Sequence, residues 1–172
     1  KIRDKIETLL EAHYRETFEK WLETERIVCK PYFRLRPSIH PATYTDIYAR
    51  SLYAAEDGDM NKLEQKLVVE LTALPNVRWW HRNIAKQDFA INGFIKHYPD
   101  ILIMTKSGKL ICAETKGEHL KNDGSRERIA LGQAWRTAAG KDYRYYMVFE
   151  NDENLLPGAM SMSQFIDTVK AL

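Results

Sequence analysis

Cysteine is scarce: Cys29 and Cys112 are the only two in 172 residues. They stand far apart, which excludes a disulfide framework and a cysteine-built zinc site and fits a reducing, cytoplasmic compartment. Charge of one sign is also lacking. Lys and Arg total 26 against 24 Asp and Glu, leaving a net charge of +2. There is no global basic field, so any nucleic-acid contact must come from local patches. No apolar run is long enough for a transmembrane helix, and no signal peptide is read, so no membrane partner is expected. No GxxxxGK[ST] loop occurs, so this chain is not expected to hydrolyse ATP. Repeats and low-complexity tracts are absent. What is present suffices for one domain with a core, hydrophobic residues making up 44%. The sequence opens at Lys1, in helical character, and is expected to be a segment of a longer protein.

The densest signal lies in residues 97–119, HYPDILIMTKSGKLICAETKGEH. It reads as two strands joined at Lys106-Ser107-Gly108-Lys109. Pro99 favours an extended backbone before Asp100. Ile101-Leu102-Ile103-Met104 and Leu110-Ile111-Cys112-Ala113 are apolar on both faces, as in covered strands. Side chains alternate along a strand, so Glu114 and Lys116 share a face, with Asp100 across the hairpin. Two carboxylates bind a divalent cation, and a lysine beside them steadies a water and the charge building on a phosphate. This is minimal equipment for phosphodiester hydrolysis. The bare spacing is weak, since about one chance match is expected at this length. The competing reading is a surface Glu114–Lys116 pair on an ordinary hairpin.

Periodicity predicts an amphipathic helix over 1–28, with Ile2, Ile6, Leu9, Leu10, Tyr14, Phe18, Trp21 and Leu22 at helical spacing. Residues 30–48 hold three prolines and read as an ordered connector over the domain surface. A short helix is expected over 49–57. Asn61 is the expected cap of a helix over 62–74. Strands are expected at 77–83, at 89–105 with an interruption at Asn92-Gly93, at 109–116 and at 143–149. Further helices are expected over 126–139 and 161–172. The order predicts an α/β fold with a central mixed four-stranded sheet flanked by helices, the last two strands parallel across a helical crossover. It divides into an N-terminal helical extension and connector, 1–60, and a core domain, 61–172.

NVRWWHRN (76–83), FAINGFIKHYPD (89–100), ETKGEHL (114–120), LGQAW (131–135) and YRYYMVFE (143–150) resemble the PD-(D/E)xK nuclease superfamily. More narrowly, they resemble the C-terminal endonuclease domain of type III restriction enzyme Res subunits and related helicase-nucleases. The resemblance covers about residues 61–150; residues 1–60 match loosely, through SLYAAEDGDMN. It implies a restriction-endonuclease-like fold and Mg²⁺-dependent cleavage of double-stranded DNA, with Mn²⁺ as a substitute. It also implies a partner helicase domain in the same parent protein, which alone uses ATP, and a methyltransferase or specificity subunit.

On this reading Asp100 and Glu114 bind the metal, with the Thr115 carbonyl a third ligand, because hard oxygens suit Mg²⁺. Lys116 orients the attacking water and stabilises the phosphorane. The superfamily adds an acid from the first core helix. Glu64 in LEQKL matches that position, Glu70 is the alternative, and a solvated helix acid competes with both. Gln133 on the following helix points at the site or is a surface Gln. Lys121, Arg126 and Arg128 contact phosphates or form a solvated charged loop. Arg82 and His81 flank the site in this reading, and Trp79 and Trp80 belong to the core. His97 and His119 bracket the catalytic strands, with hydrogen-bonding rather than metal roles. Two other functions compete: a catalytically silent DNA-binding or docking module on the same fold, and a structural domain joining a helicase to a methyltransferase through helix 1–28.

Overall fold

The computed structural model describes residues 1–29, 33–46 and 48–172. Helix α1 spans Ile2–Glu23 and buries none of its residues. It is shorter than the expected 1–28: Glu25 takes a φ of 55°, and the amides of Arg26 and Ile27 turn back to the Trp21 carbonyl. Its apolar positions do not form a buried face; among the described residues Phe18 alone of them makes a ring contact outside the helix, edge-on to Phe94 at 5.8 Å.

The connector expected over 30–48 falls partly on residues 30–32 and 47, outside the described residues. Beyond it, β1 (Tyr44–Thr45) and β2 (Glu56–Asp57) form a small antiparallel pair. The short helix expected over 49–57 is absent. Arg50, at a φ of 62°, instead lets the chain run along Trp80, where the Leu52 amide donates to the Trp80 carbonyl and the Trp80 amide to Arg50. That segment caps an otherwise open sheet edge, whose unpaired groups invite association.

Asn61 starts the core as expected. Its side chain accepts from the Leu63 and Glu64 amides, and Glu64 reaches back to the Asn61 amide, a capping box that fixes α2 (Lys62–Ala73). Strand β3 (Val77–Arg82) follows. The expected long strand 89–105 is two features. A three-residue turn at Gly93–Ile95 joins β4 (Ile91–Asn92) to β5 (Lys96–His97) in a small hairpin, and only after Pro99 does β6 (Ile101–Thr105) enter the main sheet. Strand β7 (Leu110–Lys116), helix α3 (Asp123–Ala139) and strand β8 (Tyr143–Phe149) follow.

The sheet is mixed but has five strands, not four, in the order β3-β6-β7-β8-β9. The extra strand, β9 (Ala159–Ser161), runs parallel beside β8, and its Ser161 caps α4 (Met162–Lys170). Three residues carry too little periodicity to be read as a strand. The pairs β3–β6 and β6–β7 are antiparallel and β7–β8 is parallel, across the α3 crossover.

Two apolar layers sandwich this sheet. Ile101, Ile103, Ile111, Ala113, Tyr146 and Val148 face α2 and α4. The alternate residues Leu102, Cys112, Tyr145, Met147 and Phe149 face α3. Polar atoms are therefore affordable only at strand ends, where β6 begins and β7 ends. No helix among the described residues is long and apolar enough to cross a membrane.

Candidate active site

Ile101 pairs with Ala113 in the β6–β7 register, so Asp100 stands opposite Glu114 as the hairpin pattern requires. Asp100 Oδ2 accepts from the Thr115 amide at 2.7 Å and from Thr115 Oγ1 at 2.9 Å. Its Oδ1 lies 3.9 Å from Arg82 Nη1. Glu114 is 3% exposed, and Lys116 Nζ stands 2.5 Å from its Oε1. The other oxygen, Oε2, is buried with no hydrogen-bond partner; His97 Nε2 lies 4.0 Å from it.

Glu64, not Glu70, joins this group. Glu70 is exposed, whereas Glu64 is buried with Oε1 3.0 Å from Arg82 Nη2 and Oε2 accepting the Asn61 amide at 2.8 Å. Arg82 also donates through Nη1 to the carbonyls of Asp100 at 3.0 Å and Asn83 at 3.2 Å. Asn83 in turn donates to the carbonyls of Phe89 and Pro99, fixing the loop that delivers Asp100.

Burial dominates the electrostatics. It pushes the Glu114 carboxyl up to about 8, with the Asp100 charge adding to the rise and Lys116 and Arg128 opposing it. Glu64 is likewise raised by burial, more than the Arg82 charge pulls it down. An ion-pair distance to a cation thus coexists in both acids with a raised proton affinity, because desolvation outweighs the attraction. His97 is held down to about 3 by burial, with Arg128 and Lys116 contributing, and is neutral. Its Nε2 and the buried Tyr145 hydroxyl are hydrogen-bonded at 2.9 Å.

The remaining expected residues are arranged around this centre. Arg128 acts on Glu114 and His97 through its charge and donates to the Gly124 carbonyl. Arg126 is exposed and 3.4 Å from Asp123. Lys121 is held 2.6 Å from Glu118, by the Glu153 carbonyl, and over the Phe149 ring at 5.2 Å. Gln133 packs on β8, 3.5 Å from the Tyr145 carbonyl, and accepts from Arg136. His119 is exposed. Trp80 is fully buried and Trp79 packs against the α3-side core, as expected. His81 is also buried, between Glu56 and Asp88. Sequence reasoning missed Tyr145 as a partner of His97. Its signal was the β8 register, which sets Tyr145 beside Cys112, on the Glu114 face.

Among the described residues, no group of three or more His, Cys, Asp or Glu side chains is placed to hold a metal by itself. What the centre offers is two carboxylate oxygens with no close partner, Asp100 Oδ1 and Glu114 Oε2. An all-oxygen pair of this kind fits Mg²⁺, which keeps several waters and takes one or two carboxylates plus substrate phosphates.

Compared with family models, with curated proteins and with solved structures, the chain matches none.

Proposed function

We propose that this chain is a Mg²⁺-dependent DNA endonuclease domain of restriction-endonuclease-like fold. The observation that carries the reading is convergence: Asp100, Glu114 and Lys116 from the hairpin meet Glu64 from α2 at one end of the sheet, with a buried Glu114 oxygen left unpartnered. Perturbed carboxylates in such a cluster favour a functional site over a surface ion pair. The five-stranded mixed sheet, with β7, β8 and β9 parallel and a helical crossover between β7 and β8, is compatible with that fold.

Asp100 and Glu114 would hold the magnesium; Mn²⁺ is expected to substitute. The ion supplies charge neutralisation at the scissile phosphate and acidifies water. Lys116, its side chain 18% exposed and anchored by Glu114, orients the attacking water and donates to the oxygens that gain charge. The water oxygen adds to phosphorus in line as the bond to the 3′-oxygen breaks. The water's proton leaves to solvent, the departing 3′-oxygen takes up a proton from solvent, and the products are a 3′-hydroxyl and a 5′-phosphate. Thr115 and Arg82 hold Asp100 still. Double-stranded DNA as substrate, a helicase motor in the parent protein that alone consumes ATP, and a methyltransferase partner complete the reading.

Two measurements test it: Mn²⁺ binding by calorimetry, and nicking of supercoiled plasmid with Mg²⁺ or Mn²⁺, each for wild type and Asp100→Ala. Binding and nicking that both vanish in the variant support the endonuclease. A wild-type chain that binds no divalent ion turns the reading to a silent docking module.

A further inference from the structure

We propose that the Arg82 guanidinium stands in for a second metal ion, so that the site takes one divalent cation and Glu64 is a positioning residue rather than a ligand. The inference rests on the endonuclease reading and specifies its metal count.

Both Glu64 oxygens are already engaged. Oε1 is 3.0 Å from Arg82 Nη2, and Oε2 accepts the Asn61 amide at 2.8 Å within the capping box that begins α2. Turning Glu64 toward a metal would break that box and leave the helix start uncapped. Arg82 is committed through both terminal nitrogens, while its Nε is buried without a partner. Its side chain is 18% exposed, and it donates to two backbone carbonyls, Asp100 O at 3.0 Å and Asn83 O at 3.2 Å. A guanidinium has five donors, no acceptor, and keeps its charge at every accessible pH. It is therefore a permanent positive charge wedged between the helix acid and the strand acid.

Two-metal phosphodiester sites place their ions roughly 3.5–4 Å apart, bridged by shared carboxylates. Here the place next to Glu64 and Asp100 is held by Arg82, 3.0 Å from the first and 3.9 Å from the second. A cation bound at Glu64 would sit against this fixed charge and would strand it, buried and unpaired. The oxygens left for a ligand are Glu114 Oε2, buried without a hydrogen-bond partner, and Asp100 Oδ1, whose cationic neighbour Arg82 stands 3.9 Å off; two such oxygens suffice for one hydrated ion. The arrangement thus has three positive charges around one phosphate site: one exchangeable ion, Lys116 and Arg82. Arg82 supplies its charge without needing to be loaded.

The test counts ions. Mn²⁺ is titrated into the 172-residue chain by calorimetry, with the free-Mn²⁺ electron paramagnetic resonance signal read in parallel. One ion per chain is expected. Glu64→Gln should keep one ion with affinity changed less than about threefold, because the amide oxygen still accepts from Arg82; its NH2 cannot accept from the Asn61 amide, so the cost is to the helix cap and not to the ion count. Arg82→Gln should admit a second, weaker ion as Glu64 is released, and Arg82→Lys should restore the count of one. Two ions in the wild type, or loss of an ion in Glu64→Gln, overturns the proposal while leaving the endonuclease reading intact. No binding by the wild type overturns both. Circular dichroism establishes folding; should Arg82→Gln fail to fold, the wild-type and Glu64→Gln counts decide alone.

Discussion

Thr115 grips Asp100 twice, through its backbone amide at 2.7 Å and its hydroxyl at 2.9 Å, both on the same carboxylate oxygen. The double contact points the other oxygen, Oδ1, away from Thr115. Thr115→Val deletes one of the two bonds with little change in shape. Loss of a single hydrogen bond to a charged acceptor is worth about 1.5–3 kcal/mol, and such supporting contacts change metal affinity about 10- to 100-fold. Mn²⁺ affinity is expected to fall by about tenfold in Thr115→Val at unchanged stoichiometry. An unchanged affinity would mean that the backbone amide alone fixes Asp100.

Lys116 should separate chemistry from binding. Its ammonium contacts Glu114 and is partly open to solvent, so removing it takes away charge stabilisation but no metal ligand. Plasmid nicking by Lys116→Ala is expected to fall about 10²- to 10⁴-fold, the usual contribution of one positioned proton-transfer or electrostatic group. Mn²⁺ should still bind near pH 9. Because Lys116 holds the Glu114 proton affinity down, the pH needed for binding should rise in this variant.

Glu114 makes metal binding pH-dependent. Its carboxyl titrates at about 8 in the folded chain against 4.5 ordinarily. A metal requires the deprotonated form, so affinity should climb about tenfold per pH unit below about 8 and level off above it. The metal-free fold carries the opposite sign. Between pH 4.5 and about 8 the folded state holds a proton that the unfolded state has released, so this group's contribution to stability falls as pH rises. Calorimetry from pH 6 to 9, with parallel urea melts in chelator, checks both signs; Glu114→Gln should flatten each curve.

Much of this centre was legible because a hairpin is arithmetic. Once Lys106–Lys109 turns, the register places Asp100 against Glu114 with no tertiary information. Strand β8 was equally readable: its Tyr145–Phe149 stretch is apolar on both faces, and the strand takes the expected bounds Tyr143–Phe149. Periodicity alone did not separate Glu64 from Glu70, since both sit on α2; Glu64 was preferred through the resemblance in LEQKL, and its place is set by the Asn61 cap and burial against Arg82. The amphipathic pattern of α1 was misleading in another way. Periodicity marks a face fit for burial, but nothing among the described residues buries it. The pairing of Glu56 with His81 had no local signal, because the partners lie 25 residues apart.

That pairing should govern the stability of the connector. His81 Nδ1 is 2.7 Å from Glu56 Oε2, and Nε2 is 3.3 Å from Asp88 Oδ2; all three side chains are fully buried. Asp88 is held further by Arg36 Nε at 2.7 Å. Burial alone would lower the His81 titration, but its hydrogen bonds to Asp88 and Glu56 outweigh it and raise it above 6.5. The contribution of His81 is then full below pH 6.5 and lost as pH rises through its folded value. For Asp88, burial is outweighed by hydrogen bonds from His81 and Arg36, which hold it below 3.8, so its contribution is present above 3.8 and lost at lower pH. Between these limits His81→Phe removes the cation shared by two buried carboxylates; Asp88 keeps Arg36 and the Ile84 amide and Glu56 keeps the Tyr53 and Arg82 amides, so the cost should sit at the low end of the roughly 3–5 kcal/mol of a broken buried pair. Urea midpoints at pH 5.5 and 8.5 check this, with a smaller difference between variant and wild type expected at pH 8.5.

Gly132 sets how closely α3 approaches the sheet behind the site. A Cβ built on Gly132 would lie 2.2 Å from the Tyr145 ring, well inside contact distance. Tyr145 cannot yield easily, because it is fully buried on β8 and its hydroxyl is bonded to His97. In an exposed helix, Gly→Ala is stabilising by roughly 1 kcal/mol. Here overpacking, typically about 1–3 kcal/mol, opposes that gain. Gly132→Ala is therefore expected to be destabilising on balance, and to break the Tyr145–His97 bond by pushing the ring. With His97 displaced, the pocket wall beside Glu114 Oε2 moves too. The variant should lower both the melting temperature and the Mn²⁺ affinity, whereas Gly124→Ala on the same helix, whose Cβ would meet nothing closer than 3.4 Å, should lower neither. A Gly132→Ala chain that melts higher than wild type would show that α3 can shift away from β8 without disturbing the site.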